Sequence, residues 1–256
     1  MPQQRMGREM MWKIDQRCKV LSDSWLSPLS SSVVGVRFPR PKLVLSDASW
    51  NGGWLSQCMG VANHRMSSDK VNSLTEFQGY CRSTLSRHGM PPQSSLQLTA
   101  ADVLAGGLSC EELRDMSVTV FASAGVRHNA VWAGDPASYD EDECGEFVPV
   151  SPGTINVMVF VNARLQAAVL PRIFTVVAEA KTNLLSERNV RSCYSSRMAT
   201  GTGTDSTIVV SDPDAPRHLS TASTHSSLGM AVARATRVAI AEALDNAPDC
   251  IQDEYA

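Results

Sequence analysis

Apolar residues along this chain follow two rhythms, and the C-terminal half alternates between them. Residues 153–162, GTINVMVFVN, form an almost unbroken β-branched and apolar run, which suits a central strand covered on both faces. Leu170, Ile173, Phe174, Val177 and Leu184 then recur at helical spacing. They predict a helix over about 166–186, in which Pro171 fits only within the first turn. STIVVS at 206–211 returns to strand character. Leu228, Val232, Ala235 and Ala239 mark the stripe of a last helix over about 227–246, whose many alanines allow close packing on a sheet. Strand, helix, strand, helix implies a right-handed crossover between two parallel strands.

The N-terminal half reads as more antiparallel. KLVLSD at 42–47 and WLSQCMGVAN at 54–63 are extended runs separated by Asn51-Gly52-Gly53, a hairpin signal. Residues 69–86 place Val71, Leu74, Phe77 and Cys81 on one helical face, with Asp69 as cap. SLQLTAADVLAGG (95–107) and SVTVFASAG (117–125) favour strands. The expected fold is α/β (mixed α+β): a single domain with a mixed parallel/antiparallel sheet covered by helices, the strands near 43–47, 117–123, 154–161 and 206–211 sharing that sheet. Residues 1–41 mix charge, Ser and Pro and read as an arm anchored by Trp12, Trp25 and Phe38. The domain is expected to occupy 42–247, followed by an acidic tail at 248–256.

Composition removes several function classes. With 256 residues, 43% apolar and 19% charged, the chain resembles an ordinary soluble domain. Its 23 basic and 26 acidic side chains give a net charge of −3 without a basic stripe, so no nucleic-acid partner is expected. No run of about 18 apolar residues suits a membrane span, and the N-terminus lacks the apolar core of a secretory signal. Seven cysteines, scattered without a C-x-x-C pair, suit free thiols in a reducing, cytoplasmic setting. The acidic stretch SYDEDECGEF at 138–147 reads as a solvated face, and no metal site is expected.

The segment ATGTGTD at 199–205 is the most unusual polar stretch. Phosphate-binding glycine loops follow a strand and open a helix, and the P-loop adds a Lys. Here the loop enters a strand and no Lys follows. Together with LSDASWNGG (45–53) and the later Asn63, LTAADV (98–103), ASAGVRHNAVWAGD (122–135), GTINV (153–157), AEAKT (178–182) and THSSLG (224–229), it makes the sequence resemble the adenosylcobinamide amidohydrolase (CbiZ) family over about residues 43–245. The chain departs from that family's pattern at Ser123, where Thr is usual, and at Met230, where Glu is usual.

The resemblance implies hydrolysis of the amide that joins aminopropanol to the corrin side chain of adenosylcobinamide, giving adenosylcobyric acid for cobalamin salvage. The corrinoid is then substrate; no resident cofactor is expected, and the chain is compatible with a homo-oligomer. Amide hydrolysis requires a nucleophile, a base, oxyanion donors and an acid for the leaving amine. Within that frame His225 is the candidate proton shuttle, Asp205 its orienting partner or a binder of substrate amine, and Glu179 a second carboxylate. Ser123 or Thr99 is either nucleophile or lining, so water attack and an acyl-enzyme both stay open. Thr200, Gly201, Thr202, Gly203 and Thr204 are expected to offer backbone N–H groups to an oxyanion as an anion nest. Asn51, Asn63, Asn129 and Asn156, with Thr224, are candidates for binding the amide arms of the corrin ring; for the asparagines, turn capping is the alternative. His64, His88, His128 and His218 read as surface or turn residues. Two further readings stay open: a corrinoid-binding protein without turnover, and a hydrolase of another amide or ester.

Overall fold

The structure, a computed structural model, describes residues 17–66, 73–137 and 153–247. The described chain opens with β1 (Cys18–Leu21), β2 (Ser24–Ser30) and β3 (Val33–Ser46), and a hairpin then leads into β4 (Gly53–Arg65). Asn51 and Gly53 take positive φ, 49° and 91°, the left-handed conformations that this reversal requires and that Asn and Gly best tolerate. Helix α1 (Leu74–Arg87) is capped by Ser73, whose hydroxyl accepts the Glu76 N–H at 3.2 Å. Asp69, expected as that cap, lies outside the described residues, as do the acidic stretch and the tail.

Strands β5 (Ser94–Thr99), β6 (Gly107–Leu113), β7 (Met116–Ala124) and β8 (Ala130–Val131) follow. The stretch 95–107 is not one strand. It breaks after Thr99, because the Thr99 hydroxyl accepts the Ala101 N–H at 2.9 Å and the Asp102 carboxylate caps the Leu104 N–H at 2.9 Å. Then come β9 (Ile155–Val161), β10 (Arg164–Leu165), α2 (Val169–Glu187), β11 (Gly201–Thr202), β12 (Ser206–Ser211), β13 (His218–Leu219) and α3 (Ser227–Asn246). Pro171 falls in the first turn of α2, where its missing N–H has no helical partner to lose.

Nine strands form one mixed sheet, ordered β1-β2-β3-β12-β9-β7-β6, with β4 pairing β3 and β5. Strands β9 and β12 are parallel and joined through α2, in register from Asn156↔Ser206 to Val161↔Ser211. Strand β7 flanks β9 antiparallel and β3 flanks β12 antiparallel, so the four strands expected to share a sheet are successive neighbours. Strand β3 pairs β2 along its first half and β12 along its second, while β4 follows its other edge. The sheet therefore curls about β3, bringing β5 close enough to β9 for Gln97 Nε2 to donate to Val157 O at 3.3 Å.

From Cys18 onward the expected arm is part of this sheet. Val20, Leu21, Leu26, Val34, Val36 and Phe38 are buried in the core. Pro28, Pro39 and Pro41 hid the strand pattern, and they fall where the ladders slip register, the positions at which a sheet tolerates residues without an N–H.

Three apolar cores result. One lies between the β7–β9–β12 face and helices α2 and α3, one inside the curl, and one between β4–β5 and α1. In α3, Ala231, Ala235, Ala239 and Ala243 are buried, and a methyl on Gly107 of β6 would stand 2.1 Å from the Ala239 carbonyl. His64 is not a surface residue. It is buried beside α1, with Nδ1 3.1 Å from Ser32 O and Nε2 2.5 Å from the Tyr80 hydroxyl, and burial lowers its pKa.

Lys42, in β3, is fully buried, with Nζ 2.9 Å from Asp212 and 3.2 Å from Asp23. Removing one partner of a buried ion pair strands the other charge in a medium that solvates it poorly. Asp212→Ala is therefore expected to lower the unfolding free energy by about 3–5 kcal/mol, read from the urea midpoint. Arg40→Ala, which breaks the exposed 3.5 Å pair with Asp214, should leave that midpoint near the parent value.

Candidate active site

Asp205 closes the Thr-Gly loop one residue before β12. Its Oδ1 accepts the Ile155 N–H at 2.9 Å and the Thr202 hydroxyl at 2.5 Å; its Oδ2 accepts the Thr202 N–H at 3.0 Å and the Lys181 ammonium. Lys181 comes from α2, so strand, loop and helix meet on one carboxylate. Both side chains are largely covered, 14% exposed for Lys181 and 16% for Asp205, which strengthens their attraction relative to a surface pair.

This packing explains the glycines. A methyl on Gly201 would lie 2.3 Å from Asp205 Oδ2 and 3.0 Å from Lys181 Nζ, and one on Gly203 would lie 2.9 Å from Asn129 Oδ1. Neither glycine has positive φ. Four of the loop's five N–H groups are also engaged internally: Thr200 with Val131 O at 2.9 Å, Thr202 with Asp205, Gly203 with Asn129 O at 3.1 Å and Thr204 with the Thr202 hydroxyl at 3.5 Å. These four N–H groups already have partners within the protein, and both glycines allow close approach of its own side chains.

A second polar group closes one end of the curled sheet. Asn63 Nδ2 donates to Ser123 Oγ at 2.8 Å, while Asn156 Nδ2 donates to Asn63 Oδ1 at 3.0 Å and Leu98 O at 2.9 Å. Thr154 joins this layer to the loop through its hydroxyl, 2.5 Å from Thr204 O. Asn63, Ser123 and Asn156 are fully buried. The Ser123 hydroxyl therefore has an amide rather than a base as its partner and no open path for attack, and Thr99 is similarly buried.

Asp47, just beyond β3, joins the two groups. Its Oδ1 accepts the Thr207 N–H at 2.6 Å and the Ser206 hydroxyl at 2.9 Å, and Ser206 Oγ in turn accepts Gln97 Nε2 at 3.1 Å. Its Oδ2 has no hydrogen-bond partner among the described residues. One side of Asp47 faces solvent. Desolvation by the protein around its carboxylate raises its pKa, against the opposing effects of these hydrogen bonds and the Lys181 charge.

On the loop's other flank, buried Asn129 donates to Gly153 O at 2.9 Å and accepts the Tyr194 hydroxyl at 3.0 Å. The exposed Tyr194 ring and the Arg197 guanidinium, 3.9 Å from the Trp132 ring centre, give this flank flat surfaces.

Other expected site residues lie apart. His225 is exposed, and no hydrogen bond or ion pair joins it to Asp205 or Glu179. Its segment has a local explanation, since the Ser226 hydroxyl caps α3 by accepting the Gly229 N–H at 3.0 Å, and a methyl on Gly229 would meet Ser223 O at 2.1 Å. Glu179 is exposed and 4.0 Å from Arg172, which also donates to the Thr224 hydroxyl at 3.2 Å. Two residues along a helix turn the side chain by about 200°, so Lys181 reaches Asp205 while Glu179 cannot. Asn51 donates to Pro92 O at 3.0 Å and Ser94 O at 2.9 Å, pinning the hairpin. It borders an open groove of about 410 Å³ with Trp54, Leu55, Gln57, Pro92 and Gln93, which shares no residue with the Asp205 group. Among the described residues no cluster of three His, Cys, Asp or Glu is arranged to hold a metal ion.

Sequence reasoning passed over Asp47, Lys181 and Gln97. The signal was present for two of them: Asp47 lies in LSDASWNGG and Lys181 in AEAKT. For the loop, Gly201→Ala is expected to destabilise the fold by about 1–3 kcal/mol, since its methyl cannot be accommodated unless the Asp205–Lys181 pair moves. Gly203→Ala, which displaces only the Asn129 amide, is expected to have the smaller effect. Thermal melts of the two variants check this order.

A sequence profile of the adenosylcobinamide amidohydrolase family, CbiZ, matches residues 12–250. An uncharacterized protein of Methanocaldococcus jannaschii, MJ1613, is 30% identical over 195 residues, covering 72% of this chain and 76% of that protein. The crystal structure of the PH0078 protein from Pyrococcus horikoshii OT3 aligns with 89% of this chain and 80% of its own, at 13% identity and a TM-score of 0.41. The profile begins ahead of β1, so the first strands belong to the matched region and not to an arm outside it. With nearly the whole chain matched, this protein belongs to the adenosylcobinamide amidohydrolase (CbiZ) family.

Proposed function

We propose that the protein hydrolyses the amide linking aminopropanol to the corrin side chain of adenosylcobinamide, releasing adenosylcobyric acid for corrinoid salvage. The reading is carried by one observation: within a family match over residues 12–250, the segments bearing Asp47, Lys181 and Asp205 come together at one end of the sheet. Amide cleavage needs a base, a positive group for the oxyanion and a proton for the leaving amine. Asp47, Lys181 and Asp205 offer side chains of the required types. The flat faces of Tyr194 and of the Arg197–Trp132 stack border the same loop and suit a planar macrocycle.

Met230 supports a second reading. It stands in the first turn of α3, where the family pattern has Glu, and its apolar side chain removes a carboxylate. A protein that binds corrinoid without turning it over would tolerate that loss. Purified protein incubated with adenosylcobinamide, followed by chromatography, is expected to yield adenosylcobyric acid and aminopropanol in equal amounts. Corrinoid that is retained but uncleaved would favour the binding protein, and neither cleavage nor binding would direct the search to other amides.

A further inference from the structure

We propose that Asp47 is the catalytic base of this site, taking a proton from the attacking water, with the Lys181 ammonium, held by Asp205, positioned to meet the oxyanion. The inference rests on the amidohydrolase reading and names the groups that perform it.

The placement of Asp47 argues for this role over a structural one. Its Oδ1 is fixed by the Thr207 N–H at 2.6 Å and the Ser206 hydroxyl at 2.9 Å, and Gln97 braces that serine from inside the curl. Orientation is thus set through one oxygen. The other oxygen is left without a protein partner among the described residues, on a side chain that reaches solvent. A carboxylate serving only to tie β3 to β12 would not require that second oxygen. Crowding by the protein raises the proton affinity of Asp47, in the direction that makes a carboxylate a better base near neutral pH.

Lys181 is the nearby cation whose charge Asp47 senses, and Asp205 fixes it. Asp205 and Ser206 are consecutive at the start of β12, so the group holding the cation and the group orienting the base are brought to the same strand end. Two other candidates fit less well: Ser123 is buried against an amide, and His225 is exposed with no hydrogen bond or ion pair to a carboxylate among the described residues.

The step balances without a co-reactant. Water oxygen bonds to the amide carbon as one water proton passes to Asp47 Oδ2, and the carbonyl π pair moves onto the oxygen facing Lys181. Collapse re-forms C=O and breaks C–N. The nitrogen leaves as the amine, carrying the proton that Asp47 returns, and the remaining O–H stays on the new carboxyl group.

Asp47→Asn tests the assignment, because Asn Oδ1 still accepts both orienting hydrogen bonds. Its kcat on adenosylcobinamide is expected to fall about 10²–10⁴-fold, while corrinoid binding, followed by absorbance titration, stays at the parent value. Added formate should restore part of the turnover to Asp47→Ala, which a purely structural role would not allow. If the parent cleaves and Asp47→Asn cleaves equally fast, Asp47 is not the base although the amidohydrolase reading stands. If Asp47→Asn loses binding as well as turnover, Asp47 binds substrate and the assignment is overturned. Should Asp47→Asn fail to fold, the parent's pH–rate profile decides: an acid limb with an apparent pKa above the ordinary Asp range supports the base, and a flat limb refutes it. A parent that does not cleave the substrate overturns the amidohydrolase reading and this assignment with it.

Discussion

The carboxylate of Asp205 organises the end of the sheet where the family segments meet. It accepts hydrogen bonds from the start of β9, from its own loop and from α2, the three parts of the crossover that joins the parallel strands. A largely covered charge is tolerated only when its lone pairs are satisfied, and here four donors fill them. That demand sets the loop's composition. Thr202 must present both hydroxyl and N–H to the carboxylate, and Gly201 must lack a side chain because Asp205 and Lys181 occupy the space. Within this loop, Thr202 thus serves the protein's own carboxylate through two of its groups.

Alternation along β12 carries the effect to the other face. Asp205 turns toward the helices, while Ser206 turns into the curl, where it meets Gln97 and Asp47. The curl brings β4 and β5 against β9, and the Asn63–Asn156–Ser123 layer locks that approach, since a slip of one residue would leave several buried amides unpaired. Gln97 Oε1 is the exception within this layer, a buried acceptor without a partner among the described residues. Losing such a bond costs about 1–3 kcal/mol. The layer thus places Gln97 for its donated bonds, one to the β9 backbone and one to Ser206, and tolerates the unmet acceptor.

Much of the fold was legible because periodicity reports burial. The uniform run of β9, the stripes of α2 and α3 and the crossover they imply all follow from apolar spacing alone. Where a strand is interrupted by prolines and arginines, as in β2 and β3, spacing carries no such message, although those residues sit at register slips in the ladder. Lys42 is illegible for a related reason: its partners Asp23 and Asp212 are distant in sequence, so nothing local marks it as internal. At the site, the family segments located the stretches that meet there but not which of their side chains meet. Glu179 was favoured over Lys181, and Asn51 over Asp47, because residue type suggests chemistry while orientation decides it. Orientation depends on the helix turn and the strand end, which the sequence states only indirectly.

The two departures from the family pattern then carry different weight. Ser123 retains the hydroxyl that accepts the Asn63 amide, so the bond that closes the polar layer survives the change from Thr. Met230 is another matter, because no group replaces the lost carboxylate in that turn. Yet the start of α3 is joined to α2 through Arg172 and Thr224, and no hydrogen bond links it to the Asp205 group among the described residues. Arg172 keeps an acidic partner in Glu179, on its own helix. The substitution therefore alters the charge of a solvent-facing edge and leaves Asp47, Lys181 and Asp205 as they are. Its consequence falls on that edge and not on the hydrogen bonds of the Asp205 group.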